Sequence, residues 1–575
     1  MRGVLAIALV LVALLLARPA AANVEVVVQG VSGELAEQVR GHVGEPRSAE
    51  PAAVSAFRRR APERARQGLE AVGYYQSSIE VRRETRDDGG VRLLVLVDPG
   101  DPVRIEDIQL LISGEALQDP AFAGLEQRLP ISEGDTLHHG RYTQARRSIQ
   151  NLALERGYFD GRFVTRRVEV DPEAQTAVVR LHFHSGMRYS FGAVTFSESP
   201  LAEEFLQRMV PFEEGEPYTA AQIARFNREL LNTGYFSDVR VRPAREQASE
   251  GRVPVGVQLS ARARHEITTG VGYTTDLGAR IRLGWRRPWV NQWGHSLAVE
   301  SEIAQRRQNI TSTYTVPLRD PLRTSLQYQF GVQAQDVADI ETEQITASVQ
   351  HRHQLRTGWQ QVISLRADRE RYWIDDVRRT TQLYVPGISW SRVRARGGLD
   401  PRWGDRQMLS LEVADPVLAS DIEVRRVRAA TRWVRTFAQR HRFLARGEVG
   451  ALATDSFEDV PPSLRFYAGG DQSVRGYKYQ TLGPEQNGTV IGGRYLAVGS
   501  IEYGYQLTPN WRPAVFVDAG NAYKDWDDLG GEAKVGAGAG IRWSSPVGPV
   551  RFDFASTVGE ADDSWRIHFS MGSDL

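Results

Sequence analysis

The pentapeptide Ser473-Val474-Arg475-Gly476-Tyr477 places a permanent cation in a long segment between stretches patterned as β-strands. Phe466-Tyr467-Ala468-Gly469-Gly470 before it and Gln480-Thr481-Leu482-Gly483-Pro484 after it are rich in glycine and aromatics, so the segment can fold compactly. The chemistry open to such a cation is charge-assisted hydrogen bonding to carboxylates and stacking on an aromatic face. Parity supplies the partners. Phe516 and Asp518 lie two apart on one predicted strand and share a face, and Glu502 on the preceding predicted strand points the same way. A loop folded back among them would pair Arg475 with Glu502 and Asp518 and offer it the ring of Phe516, which offsets the cost of withdrawing charge from water. From pattern alone, acids lining a wet pore are the simpler reading, and five residues by themselves also fit an exposed turn.

The elements that must position this constellation alternate with period two from about His265 onward. Tyr495, Ala497, Gly499, Ile501, Tyr503, Tyr505 and Leu507 form an apolar face against Ser500, Glu502 and Gln506, and Val515 and Val517 oppose Phe516 and Asp518. Ile281, Leu283 and Trp285 repeat the split, as do Trp565, Ile567, Phe569 and Met571 against Arg566, His568 and Ser570. A soluble β-sandwich alternates too. Aromatics near the strand ends and an apolar leader favour a transmembrane barrel, for which the available length allows on the order of 16 strands.

That leader is the run Val4 to Ala17 followed by Ala20-Ala21-Ala22, which reads as a cleaved signal peptide over residues 1–22. Between leader and barrel the sequence repeats. Gly73-Tyr74-Tyr75, Gly157-Tyr158-Phe159 and Gly234-Tyr235-Phe236 each end a helical pattern and lead into strands, which predicts three tandem β-α-α-β-β units. The expected domains are 23–100, 101–186 and 187–263, then the barrel over 264–575: α+β followed by all-β.

Lys plus Arg number 71 and Asp plus Glu 71, so there is no global basic field for nucleic acid, and none is expected as a partner. The chain has no cysteine, which excludes disulfides and thiolate sites. His138-His139 and the pair His182 and His184 lack carboxylate or thiol companions at ligand spacing and read as solvated surface residues. Gly536-Ala537-Gly538-Ala539-Gly540 lacks the Lys-Ser/Thr of a phosphate loop and reads as close strand packing. The cluster Arg58-Arg59-Arg60 reads as a solvated face. No catalytic residue, metal or cofactor is expected, and the protein does not read as an enzyme.

The repeats resemble polypeptide-transport-associated (POTRA) domains. Ser473-Val474-Arg475-Gly476-Tyr477, Phe516-Val517-Asp518-Ala519-Gly520-Asn521 and the segment from Gly540 to Arg551 resemble the signatures of the outer-membrane insertase and translocase superfamily that includes BamA, TamA and the two-partner-secretion transporters. Three repeats, with Ala468 to Tyr477 followed by Leu482-Gly483-Pro484, are most similar to its TamA-like branch, the outer-membrane subunits of the translocation and assembly module. The resemblance implies an outer-membrane barrel with periplasmic repeats and a loop arginine packed near acids inside the barrel. It implies a TamB-like inner-membrane-anchored partner and unfolded outer-membrane protein or autotransporter clients, with outer-membrane lipid as a further partner through phospholipid transfer. A secretion pore for one exoprotein and a passive porin are the competing readings.

Closure of a barrel requires the first strand, about Ile267 to Tyr273, to meet the last, about Trp565 to Gly572. Gly270 and Gly272 weaken pairing in the first. The expected lateral seam therefore comprises Ile267, Thr269, Gly270 and Gly272 on one side and Trp565, Ile567 and Phe569 on the other, and it would open sideways to offer strand edges to a client.

Overall fold

The computed structural model describes residues 24–87, 90–337, 340–374, 377–398, 400–531, 533–546, 548–560 and 564–571. The expected signal peptide, Val547 and the final Gly572-Ser573-Asp574-Leu575 lie outside them. Two compact units share the chain. The first comprises the chain up to Thr195 with Pro211–Arg225 and Val241–Gly256, and the second comprises Phe196–Val210, Phe226–Arg240 and the chain from Val257 on, so the third repeat contributes to both.

Each repeat builds a three-stranded sheet in which its first and last strands are neighbours. In the first, Val24–Gln29 runs parallel to Val91–Asp98, which pairs antiparallel with Ser78–Thr85. Helices Gly33–Val43 and Pro51–Glu70 bury Val39, Val43, Val54, Phe57 and Leu69 against Leu93 and Val95. The second sheet orders Arg104–Ser113, Thr176–His184 and Arg162–Asp171 in the same way. Here the structure departs from the predicted β-α-α-β-β unit. The first helical segment is replaced by three 3-10 turns, Glu115–Gln118, Pro120–Phe122 and Glu126–Arg128, and only His139–Arg156 is an α-helix. Pro120 lacks the amide hydrogen a continuing helix needs, and Gly124 sits at φ 61°, outside the helical basin. The third repeat has helices Glu203–Gln207 and Ala220–Asn232 and a sheet of Ser190–Phe196, Arg252–Ala261 and Phe236–Pro243.

The recurring Gly-aromatic blocks have a common structural role. Gly73, Gly157 and Gly234 all take positive φ, 98°, 90° and 76°, which lets the chain leave each helix. The carbonyl of Gly73 then accepts from Val103 N at 2.8 Å and that of Gly157 from Tyr189 N at 3.0 Å, so the same position ties each of the first two repeats to the segment that follows. In the third block the neighbouring carbonyl of Tyr235 accepts from Arg262 N at 2.9 Å, and the Tyr235 hydroxyl donates to Gly294 O at 2.7 Å.

From Glu266–Thr274 to Trp565–Met571, sixteen antiparallel strands follow in chain order. Alternation sets their two faces. Ile281, Leu283, Ile345, Ile363, Leu365, Val515 and Val517 are exposed outward, as a lipid-facing wall requires, while Glu302, Asp368, Glu502, Asp518 and Asp553 are buried inside. Among the described residues no helix is long and apolar enough to cross a membrane, and the strands supply the spans.

Candidate functional site

Residues 454–494 connect strands His441–Ala453 and Tyr495–Tyr505 and fold against the inner face of the barrel. Val474 is fully buried among Ala468, Leu482, Leu496 and Ala522. Gly476, at φ 99°, turns the chain in a conformation a side chain would strain, and its N–H donates to Nε2 of His568 on the last strand at 3.0 Å. Ser473 Oγ accepts from Gly469 N at 3.2 Å, and the Tyr477 hydroxyl donates to Glu560 at 3.2 Å.

These anchors hold Arg475 in a charge cluster. Its Nε and Nη2 donate to the two oxygens of Asp518 at 2.7 and 2.9 Å, and its backbone N–H adds a third bond to Asp518 at 3.0 Å. Nη1 donates to Glu502 at 3.0 Å and to Asp553 at 3.1 Å. The guanidinium carbon lies 3.4 Å from the centroid of the Phe516 ring. Arg542 completes the arrangement from the opposite side, with Nε and Nη2 on Glu502 at 3.0 and 2.7 Å and Nη1 on Asp553. Arg446 stands 3.6 Å from Asp518. Three guanidinium groups therefore face three carboxylates, and both oxygens of each carboxylate are occupied. Burial of these carboxylates is tolerable because every one of their oxygens is paired.

Room for the loop comes from glycine. A Cβ on Gly536 would lie 1.8 Å from the carbonyl oxygen of Arg475, and one on Gly540 would lie within 3 Å of Asp553 Oδ1 and Arg542 Nη1. Close packing is the role the sequence predicts for this run. A Cβ on Gly538 or Gly540 would meet the neighbouring strand at Phe554 O or Phe552 O, whereas at Gly536 it is the loop backbone that comes nearest.

The seam is the opposite case. Glu266–Thr274 and Trp565–Met571 share no hydrogen-bonded ladder among the described residues. They meet through Thr275, whose N–H donates to Phe569 O at 3.2 Å and whose Oγ1 accepts from Phe569 N at 2.7 Å, with the Tyr273 and Phe569 rings 6.0 Å apart. Ile267 and Val271 are 75% and 77% exposed, Thr269 and Gly270 are exposed, and Gly272 is half-buried. On the other side Trp565 and Ile567 point outward. Among the described residues, the edge-to-edge hydrogen bonding expected of a closed barrel is thus confined to one position. Gly270 and Gly272 present no side chain for cross-strand contact there.

Above this seam, Asp276, Asp471 and His568 place ligand-type atoms within 4.8 Å of one another. Asp471 N–H donates to Asp276 at 2.9 Å, His568 Nδ1 is hydrogen-bonded to Asp471, and His568 Nε2 accepts from Gly476 N–H. With Nε2 accepting, Nδ1 carries the ring proton, so the cluster acts as a hydrogen-bonded latch from the loop to the first hairpin and last strand rather than as a set of free metal donors. The four histidines that the sequence places on a solvated surface are half-buried and hydrogen-bonded locally. His138 Nδ1 accepts from Gly140 and Arg141 N–H at the start of its helix, His139 bonds the Tyr75 hydroxyl at 2.7 Å, and His182 and His184 share Ser113 Oγ. Arg58, Arg59 and Arg60 are exposed on their helix.

The structure therefore gathers Arg475, Glu502, Phe516 and Asp518. It adds Arg542, Asp553, Arg446 and His568, which parity alone does not single out. Asp553 had a legible signal, an acid between the outward Phe552 and Phe554.

Residues 291–575 match the Omp85 superfamily domain, residues 25–99 the POTRA domain TamA domain 1, and residues 111–186 and 189–261 the POTRA family described as surface antigen variable number repeat. The outer membrane protein assembly factor BamA of Neisseria meningitidis serogroup B is 23% identical over 80% of this chain and 66% of its own length. BamA of Nitratidesulfovibrio vulgaris is 25% identical over 64% and 48%. The chloroplastic outer envelope protein 80 of Oryza sativa is 24% identical over 93% and 84%. The chain thus spans about half to two thirds of the bacterial relatives. The crystal structure of BamA from Haemophilus ducreyi lacking POTRA domains 1–3 shares the fold, with a TM-score of 0.68 at 18% identity over 82% of this chain and 99% of that one. With the barrel domain, three POTRA matches and BamA homologues together, the chain belongs to the Omp85 superfamily as an outer-membrane β-barrel with periplasmic POTRA domains.

Proposed function

We propose that the protein is an outer-membrane assembly factor that helps β-barrel and autotransporter proteins to insert or translocate through a lateral seam. The observation that carries this reading is the first strand, Glu266–Thr274. It has no backbone hydrogen bond on its outer edge among the described residues, and one residue beyond it ties it to the last strand. An unused strand edge accepts an incoming strand by β-augmentation. The names of the bacterial relatives support the same class of work. Passage through the lumen, as a secretion pore or passive porin requires, is disfavoured by the buried loop on its inner wall.

Within that class the protein is TamA-like, a reading supported by the match of residues 25–99 to the first TamA POTRA domain. Its periplasmic domains would bind a TamB-like inner-membrane-anchored protein, and phospholipid transfer would accompany or replace protein insertion. The domain division follows the sequence reading, with the barrel beginning near residue 264. Protease treatment of intact outer membranes should leave a resistant fragment starting within about ten residues of His265.

The decisive experiment uses the absence of native cysteine. Tyr273→Cys with Phe569→Cys, and neighbouring registers, should bridge the seam on oxidation. Bridging should stop assembly of an autotransporter client while the barrel stays folded, and reduction should restore it. Normal client assembly by a quantitatively bridged protein would rule out lateral opening.

A further inference from the structure

We propose that the barrel lumen contains a binding site for a phosphate group, formed by a row of arginines beside the tip of the loop. Strand pairing sets Arg406 opposite Arg432, Arg432 opposite Arg446, and Arg446 opposite Ser500. Directly paired residues share a face, and neighbouring strands lie about 4.8 Å apart, so three guanidinium side chains leave the wall side by side. Like charges opposed in this way repel, and an anion seated among them removes the repulsion.

One carboxylate near the row, Asp518, lies 3.6 Å from Arg446 and is shared with Arg475. The row continues through Ser500 to Asp518, but Asp518 already accepts three hydrogen bonds from Arg475. Arg446 donates to the backbone oxygen of Asp471 at 3.3 Å and to Ser500 Oγ at 3.1 Å, and its Nε is buried without a partner. Arg432 donates to the amide oxygen of Gln472 at 3.0 Å. Arg406 makes no side-chain hydrogen bond or ion pair among the described residues. These arginines line a cavity of about 280 Å³ that Arg428 also borders, and the one acid lining it, Glu448, is taken by Arg428 at 2.6 Å.

Several planar forks converging from adjacent strands suit a tetrahedral oxyanion with three or more acceptor oxygens better than a carboxylate with two. The shared chemistry is a phosphate, carried by a lipid headgroup or free in solution. The site is independent of which clients the seam accepts.

The test uses the full-length protein in non-ionic detergent at low salt, titrated with inorganic phosphate, with dihexanoylphosphatidylglycerol and with an acidic peptide. Binding is read calorimetrically and through the unfolding temperature. At least one phosphate probe should bind saturably, with affinity falling tenfold or more in Arg406→Gln/Arg432→Gln and the unliganded unfolding temperature unchanged or raised. The single variant Arg406→Gln, which removes no side-chain hydrogen bond or ion pair among the described residues, guards against a folding defect and should itself weaken binding. Tighter binding of the lipid assigns the site to a headgroup, and equal or preferential binding of inorganic phosphate assigns it to the free ion. No saturable binding of either, binding of the acidic peptide alone, or binding unaltered in both variants overturns the proposal.

Discussion

The wall built by Trp511–Tyr523, Lys534–Ser545 and Gly548–Val558 holds Asp518, Arg542 and Asp553 buried and hydrogen-bonded, whereas the first strand, Glu266–Thr274, is largely exposed and leaves one backbone edge unused among the described residues. Both belong to one sheet. Glycine has opposite consequences in the two. In Gly536 the missing Cβ admits the loop backbone and in Gly540 the side chains of Asp553 and Arg542, while Gly270 and Gly272 remove side-chain contacts from a strand whose outer edge carries no hydrogen-bonded ladder among the described residues. The contrast teaches that stability is not spread evenly around the barrel. The loop lock is placed so that the neighbouring seam can be weak without the wall coming apart.

The largest break in this contrast is expected from Arg475→Ala. It strands Asp518, Glu502 and Asp553 with fewer partners in a dry site, which costs about 3–5 kcal/mol. The unfolding temperature of the barrel in detergent should fall accordingly. Asp518→Asn should add little on top, and full additivity of the two would contradict direct pairing.

Gly536→Ala tests the same wall by space instead of charge. The new methyl group collides with the Arg475 carbonyl, a backbone atom that cannot swing aside. A cost of about 1–3 kcal/mol is expected, with the loop pushed off the wall and newly cleavable by protease in a barrel that still forms.

A buried pair in the second repeat calibrates the lumen cluster. Asp119 accepts from Arg156 at 3.0 and 2.9 Å, from Ala121 N at 3.0 Å and from the Tyr158 hydroxyl at 3.2 Å. Burial pushes the Asp119 pKa up, but the hydrogen bonds and charge of Arg156 prevail and hold it below the ordinary carboxylate range, while burial and Asp119 raise Tyr158 to about 12. A depressed folded-state pKa contributes stability that is present above the unfolded value of about 3.9 and is lost as pH falls through the folded value. The protection of helix His139–Arg156 against hydrogen exchange, taken relative to the intrinsic rate at each pH, should therefore fall below about pH 4. Asp119→Asn should remove that pH dependence and cost about 1–2 kcal/mol at neutral pH.

The smallest expected effect lies at the seam itself. Thr275→Val removes the side-chain bond to Phe569 N, worth about 1 kcal/mol. Global unfolding should barely move, yet exchange of the amides in Glu266–Thr274 and Trp565–Met571 should rise severalfold. A seam whose exchange is unchanged would be held by contacts other than Thr275.

Much of this was legible in the residues alone, because alternation with period two is a local property of each strand. It put Val515 and Val517 outside and Phe516 and Asp518 inside, and it made Glu502 a candidate partner of Arg475. The spacing of Gly73, Gly157 and Gly234 announced the repeats in the same local way, although Pro120 and Gly124 broke up the first helical segment of the second unit. Only the tertiary structure decided which charges meet. Asp553 reaches Arg475, and Arg542 reaches Glu502 and Asp553, through strand register and the depth of the loop, and nothing in their own neighbourhoods encodes either. The same holds for Asp276, Asp471 and His568, drawn from a turn, a loop and the last strand. It holds equally for the seam, where composition foretold weakness in Gly270 and Gly272. That the hydrogen bonds to Phe569 come from Thr275 depends on how sixteen strands close around a loop, and closure is a property of the whole sheet.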